Sequence, residues 1–250
     1  MLGLDTARAI YSLPIKANGT NGGLQAIVSR VRASRFNQAA LEAGLQDPAW
    51  IETHVRAHHR VLDHLLATGQ PLIPMRFCTI YRDEAGVQKI LAQHAAPLIA
   101  ELERLRDKQE WGVKLVVDTE ALQAAIRRAP DDEAIQVLQA RIAKMSAGGA
   151  FLWKKKLEAI VAQRAESIGF AIADDTHTRL SHYAEEAVTN SLPPQRPEVW
   201  LNAAYLVTSG KVFDNFRDEL ERLAEEHEPM GIRYELSGPW PAYNFITLKI

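Results

Sequence analysis

Apolar and polar positions change period several times along the chain, and each change marks an element. Residues 8–15 and 24–31 have the composition of two neighbouring strands, joined by a Gly- and Asn-containing turn over 16–23. Asp47 followed by Pro48 reads as a helix start, with Asp at the N-cap and Pro at the first helical position. Ile51, Val55, Leu62, Leu65 and Leu66 then recur at helical spacing up to Gly69, which predicts a helix over 48–68. Residues 72–81, LIPMRFCTIY, have strand composition, and Pro74 confines that strand to an edge or a bulge. The spacing of Val87, Ile90, Leu91, Leu98, Leu102 and Leu105 predicts a helix over 83–107, kinked by Pro97 near 93–96.

Residues 111–117 form a compact apolar strand closed by Asp118, and a long helical region follows. Asp131 and Asp132 open a helix carrying Ile135, Leu138, Ile142 and Met145. Gly148-Gly149 interrupts it, and a second helix is expected over 151–167 with Trp153, Leu157, Ile160, Val161, Ala165 and Ile168 on its buried side. A third is expected from Thr176 or Thr178, carrying Leu180, Tyr183, Ala187 and Val188, before the stiff linker SLPPQRP at 191–197. A strand over 200–208 precedes a surface helix marked by Phe213, Phe216, Leu220 and Leu223. Strands over 231–236 and 245–250 close the chain. The order from 111 onward is that of a split βαβ unit with extra helices after its first strand. The expected fold class is α+β with two domains. An N-terminal α+β domain spans 1–107, and a C-terminal ferredoxin-like domain, modified by inserted helices, spans 108–250.

Composition narrows the function classes. The chain has 250 residues and 29 Lys+Arg against 31 Asp+Glu, a net charge of −2, which argues against a dedicated nucleic-acid binder. Cys78 is the only cysteine, so a disulfide framework and a multi-cysteine metal site are excluded. Asp5 and Arg8 interrupt the N-terminal stretch where a signal peptide needs an apolar run, and no apolar run of about 18 residues suggests a membrane span. A cytoplasmic protein without membrane association is expected.

Candidate chemistry is sparse. His54 and His58 share a helix face, but Val55 stands where a metalloprotease helix needs Glu, and no third ligand has an obvious spacing. No metal and no cofactor are expected. Cys78 reads as a small buried thiol, although Arg76 is two residues away. Asp174-Asp175 with His177 suits an acid/base or metal group, but helix capping is the commoner use. Lys154-Lys155-Lys156 reads as a solvated helix face. No nucleophile elbow, Walker loop or dinucleotide turn occurs, so no catalytic residues are assigned.

Two segments stand apart. LIPMRF at 72–77 puts a proline and Arg76 into an apolar run. GPWPAYNF at 238–245 holds Trp240 between Pro239 and Pro241, with Tyr243 close behind. Two prolines fix φ and remove two donors, which makes a rigid aromatic knob suited either to core filling or to a partner contact.

With HHRVLDHLL at 58–66, EWGVKLVVD at 110–118, GGAFLWKKK at 148–156 and LNAAYLV at 201–207, these segments resemble the gas vesicle protein F/L family (GvpF/GvpL) over nearly the whole chain. Cys78 departs from the family pattern, which usually has Gly there, and Ala242 stands where it often has a second Pro. The resemblance implies a non-enzymatic accessory or minor structural protein of the gas vesicle. Such a protein binds the hydrophobic shell subunit, gas vesicle protein A, and limits its aggregation during nucleation. Other gas vesicle accessory proteins are further candidate partners. The residues proposed for partner contact are Pro239, Trp240, Pro241, Tyr243 and Arg76, with the C-terminal domain as the contacting part. The alternatives weighed are a small-molecule enzyme on a ferredoxin-like scaffold and an RNA-binding sheet.

Overall fold

A computed structural model of the chain describes residues 2–3, 10–15, 23–130 and 132–248. The expected 16–22 turn, the strand residues at 8–9 and 249–250, and Asp131 lie outside the described residues. The chain forms two compact units, one of residues 1–109 with 240–250 and one of residues 110–239.

In the first unit, β1 (Leu2–Gly3), β2 (Ile10–Pro14) and β3 (Gln25–Arg30) form a sheet in the order β1-β3-β2, with both outer strands antiparallel to β3. Pro14 ends an edge strand, where its missing donor leaves no ladder bond unmade. Two short helices, α1 (Ala33–Phe36) and α2 (Gln38–Gly44), lead into α3 (Pro48–Leu66). Asp47 caps α3 by accepting from the Ala49 N–H at 3.0 Å, and Ala57, His58, Val61 and Leu62 form its buried face.

The helix expected over 83–107 is two helices, α4 (Glu84–Gln93) and α5 (Ala95–Arg104), broken at His94. Pro97 falls in the first turn of α5, where its missing N–H has no intrahelical acceptor to serve. The expected kink is therefore a break. The expected strand over 72–81 is not formed; the segment is irregular apart from a single bridge at Tyr81. Pro71 and Pro74 lack donors, and the backbone reverses where the Thr79 N–H donates to the Arg76 carbonyl at 3.1 Å. Cys78 stands at the third position of that turn with φ +65°.

In the second unit, β4 (Lys108–Val117), β5 (Glu186–Thr189), β6 (Val199–Thr208) and β7 (Ile232–Trp240) make a sheet in the order β5-β6-β4-β7. That is the strand order of a ferredoxin-like sheet, with α6 (Thr119–Arg128), α7 (Glu133–Ala143) and α8 (Ala147–Ser181) between β4 and β5, and α9 (Lys211–His227) between β6 and β7. α6, capped by Asp118, was not separately resolved in the sequence pattern. The helices expected over 151–167 and from Thr176 are one 35-residue helix, α8. Its face Val161, Ala165, Gly169, Ala173, Thr176 and Leu180 is buried without interruption, and Gly148-Gly149 sits in its first turn. Asp174 and Asp175 are therefore exposed in a helix interior and cap nothing. Ala187 and Val188, expected on a helix, pair instead with Tyr205 and Ala204 of β6.

The C-terminal segment differs from expectation in two ways. Residues 245–248 are not a strand, and 240–250 group with the first unit rather than the second. Glu101 and Arg104 on α5 explain the grouping. The Arg104 guanidinium donates to the Phe245 carbonyl, and the Thr247 N–H donates to Glu101 at 3.3 Å.

Candidate functional site

The first unit leaves a cleft of about 690 Å³ inside its own elements. Leu24, Ala26 and Val28 of the β3 region form one wall, and Leu62 and Leu65 of α3 another. Val87, Leu91, Leu98 and Leu102 of α4 and α5 line it as well, and the irregular 70–81 segment completes it. Small buried clusters surround this space: Leu13, Val28 and Val87 in one, and Ile15, Leu24, Ala95 and Leu98 in another. The lining is mainly apolar, with His54, His58, Arg76, Glu103 and Arg106 as its charged or titratable members besides Cys78 and Tyr81. Glu103 and Arg106 pair with each other at 2.6 Å on the surface. Arg76 is exposed and makes no ion pair among the described residues. Burial pushes the Cys78 thiol above its ordinary pKa, which keeps it protonated and poorly nucleophilic.

α3 presents a ladder of rings along this cleft. Trp50 stacks on His54 with centroids 4.0 Å apart, and the His54 Nδ1 meets the Trp50 carbonyl at 2.8 Å. One turn on, His58 is 5% exposed and packs edge-on against Phe77 at 5.9 Å. Its Nε2 lies 3.1 Å from the Tyr243 hydroxyl. His59 packs edge-on against Trp240 at 6.4 Å and Tyr243 at 6.5 Å, and its buried Nδ1 has no hydrogen-bond partner. Burial, followed by the neighbouring His59, holds the His58 pKa below its ordinary value. Burial also pushes the Tyr243 hydroxyl up to about 12.

The two segments singled out in the sequence thus meet at one residue, because His58 touches Phe77 from one and Tyr243 from the other. Trp240 and Tyr243 are each 38% exposed, Pro239 is exposed and Pro241 is buried. The Gly238–Pro239 peptide is cis. His58 was singled out only as a metal candidate, and the cleft was not visible in the sequence. Among the described residues no group of three or more His, Cys, Asp or Glu is arranged to hold a metal ion. The strongest polar cluster of the second unit is self-contained. Thr176 and His227 both bond the Tyr234 hydroxyl, at 2.9 Å and 2.7 Å, and Arg179 bonds Glu219 and Glu226. His177 of the Asp174-Asp175-His177 set bonds the buried Tyr205 hydroxyl at 3.0 Å.

Comparison with known proteins gives a consistent picture. The family model described as gas vesicle synthesis protein GvpL/GvpF matches residues 19–247. A gas vesicle protein L from a Streptomyces species is 32% identical over 235 residues, covering 90% of this chain and 80% of that protein. Gas vesicle protein L2 from Halobacterium salinarum is 28% identical and covers 78% and 70%. The crystal structure of GvpF from an Anabaena species superposes with a TM-score of 0.67 at 18% identity, over 99% of this chain and 91% of that one. The GvpF crystal structure from Microcystis aeruginosa gives 0.62 at the same 18% identity, over 98% and 92%. At that identity the two structures establish a shared fold. No helix among the described residues is long and apolar enough to cross a membrane.

Proposed function

Because the chain belongs to the gas vesicle synthesis protein GvpL/GvpF family, we propose that it acts without catalysis in gas vesicle assembly. In this reading it binds the hydrophobic shell subunit, gas vesicle protein A, and limits its aggregation during nucleation. It works in the cytoplasm and at the growing vesicle, with other accessory proteins as further partners. The observation that carries the reading is the apolar cleft of about 690 Å³ in the first unit. A shell subunit with a gas-facing apolar surface aggregates when that surface is left in water. A cleft lined by leucines, open at the surface and rimmed by an unpaired arginine, covers such a surface reversibly.

The contact proposed from Pro239, Trp240, Pro241, Tyr243 and Arg76 moves with the fold. Trp240, Pro241 and Tyr243 group with the first unit, beside the α3 rings, so that unit replaces the C-terminal domain as the proposed contact. Trp240, Tyr243 and Arg76 are exposed and suited to touch a partner, whereas buried Pro241 shapes the turn that presents them.

The test is a light-scattering assay of shell-subunit aggregation in the presence of the full chain. Wild type should delay aggregation, and should still do so at 1 M salt, where the screening length is about 3 Å. Leu65→Asp, a charge placed in the cleft wall, should abolish the delay while leaving the far-UV circular dichroism unchanged. A wild-type chain that neither binds the subunit nor slows its aggregation at any salt concentration overturns the reading.

A further inference from the structure

The C-terminal segment is held in two chemically different ways, by α5 at one stretch and by α3 at the other. At 245–247 the segment is held by Glu101 and Arg104, which are ion-paired at 2.8 Å and bond its backbone. At 240–243 it is held by aromatic rings and by the imidazoles of His58 and His59. The Tyr243 hydroxyl and His58 Nε2 share one hydrogen bond, and His59 packs against Trp240 and Tyr243.

We propose that His58 forms an acid-operated clasp with Tyr243, which holds the 240–243 turn on α3 when its imidazole is neutral and frees the turn when it is protonated. The inference stands on the geometry of this chain and needs no partner.

The groups around the two rings decide it. The Met75 backbone favours a proton on the His58 ring but is outweighed by burial, and the ring's Nε2 meets the Tyr243 hydroxyl at 3.1 Å. Phe77 and His59 fill further sides of the His58 ring. On α3 the nearest other titratable groups are His54, one turn back and engaged with Trp50, and the exposed Asp63, one turn beyond His59 and making no ion pair to it. Across the cleft stand cationic Arg76 and the mutually paired Glu103 and Arg106. None of these supplies a free carboxylate to His58. A proton on His58 would therefore place a charge in a site 5% exposed, and opening of the turn would return that charge to water.

The direction with pH follows. The closed clasp holds His58 below its ordinary value of about 6.5, so the open state binds more protons just below that pH. Closure is complete above about 6.5 and weakens as pH falls. Glu101 behaves differently. The Arg104 hydrogen bond holds it below the ordinary carboxylate range, so its anchor persists until pH falls under about 4. Release should therefore occur in two steps, with 240–243 first and 245–247 later.

Hydrogen exchange read residue by residue tests this. The Tyr243 N–H bonds the Pro241 carbonyl and the Phe245 N–H the Ala242 carbonyl, while the Thr247 N–H is held by Glu101. Between pH 7.5 and 5.5, after correction for intrinsic exchange, protection at Tyr243 should fall by up to roughly tenfold per pH unit for each proton taken up. Protection at Thr247 should stay constant. His58→Gln, which cannot charge, should remove the pH dependence at Tyr243. Tyr243→Phe, a surface change that spares the fold, should lower protection of the turn at pH 7.5 and flatten its pH response. Constant protection at Tyr243 across this range, or an unchanged pH response in His58→Gln or Tyr243→Phe, overturns the proposal.

Discussion

The two units spend similar apolar sequence in opposite ways. In the second, one cluster runs from Val113, Leu115 and Val117 of β4 through Leu201, Ala203, Tyr205 and Val207 of β6 to Phe216, Leu220 and Leu223 of α9, and α8 adds Val161, Ala165 and Leu180. Its side chains close on one another, and its buried hydroxyls and imidazoles bond within the core. In the first, the described clusters are small and border a cleft of about 690 Å³, so leucines of α3, α4 and α5 face open space. A continuous core gives rigidity. Apolar walls left apart give up some burial and keep a surface able to receive another apolar surface. Under the proposed function, the second unit serves as support and the first as the contact.

The sharpest way to break this comparison is to remove equal side chains from each. Leu180 is fully buried in α8, and Leu180→Ala leaves a cavity that should cost about 2–5 kcal/mol. Leu65 is half-buried on the cleft wall, and Leu65→Ala should cost less than about 1 kcal/mol while weakening the delay of shell-subunit aggregation. Urea unfolding of both variants checks it. Equal losses would mean that the cleft wall is an ordinary core.

Gly169 sharpens the view of α8 as a continuous packed strut. A Cβ on this helical glycine would lie 2.1 Å from the Trp200 ring, and that ring is itself stacked on Phe170 at 5.4 Å. Alanine is the better helix former by about 1 kcal/mol, yet the clash should outweigh that gain. Gly169→Ala should lower stability by roughly 1–3 kcal/mol in the same measurement. A stabilised variant would show that Trp200 moves freely and that the strut is loosely packed.

What was legible in the sequence follows the same division. α3 and α9 show through apolar periodicity, and α3 also through Asp47-Pro48, because one face of each must be buried whatever its partner. β4 and β6 show as dense apolar runs. The failures are places where a distant partner decides. Ala187 and Val188 continue a helical spacing after Leu180 and Tyr183, but the free edge of β6 pairs with them. Gly169 lies beyond the helix expected over 151–167, yet it continues α8 and makes room there for Trp200. The cleft has no local signature at all, since a leucine lining a space and a leucine filling one have the same spacing. The segment 72–81 was misread for a subtler reason, because its composition is that of a strand and its backbone is that of a turn.

That last difference can be measured at Cys78, which marks the loop wall of the cleft. Its φ of +65° lies in the left-handed region, which a residue with a Cβ enters at a cost of about 1–2 kcal/mol. A turn with positive φ at its third residue favours glycine. Cys78→Gly removes the strain but frees the unfolded chain, an opposing effect of about 0.4–1 kcal/mol, and it gives up the partial burial of the thiol. The variant should therefore lie within about 0.5 kcal/mol of wild type. Cys78→Val adds a branched Cβ at a backbone conformation that such residues almost never adopt, and should cost about 1–2 kcal/mol. Cys78 lines the cleft, so the extra methyl groups have space and overpacking does not confound the result. A strand at 72–81 demands the reverse order, with valine favoured over glycine by about 1 kcal/mol. Denaturant midpoints of the two variants, compared with wild type, decide between the turn and the strand.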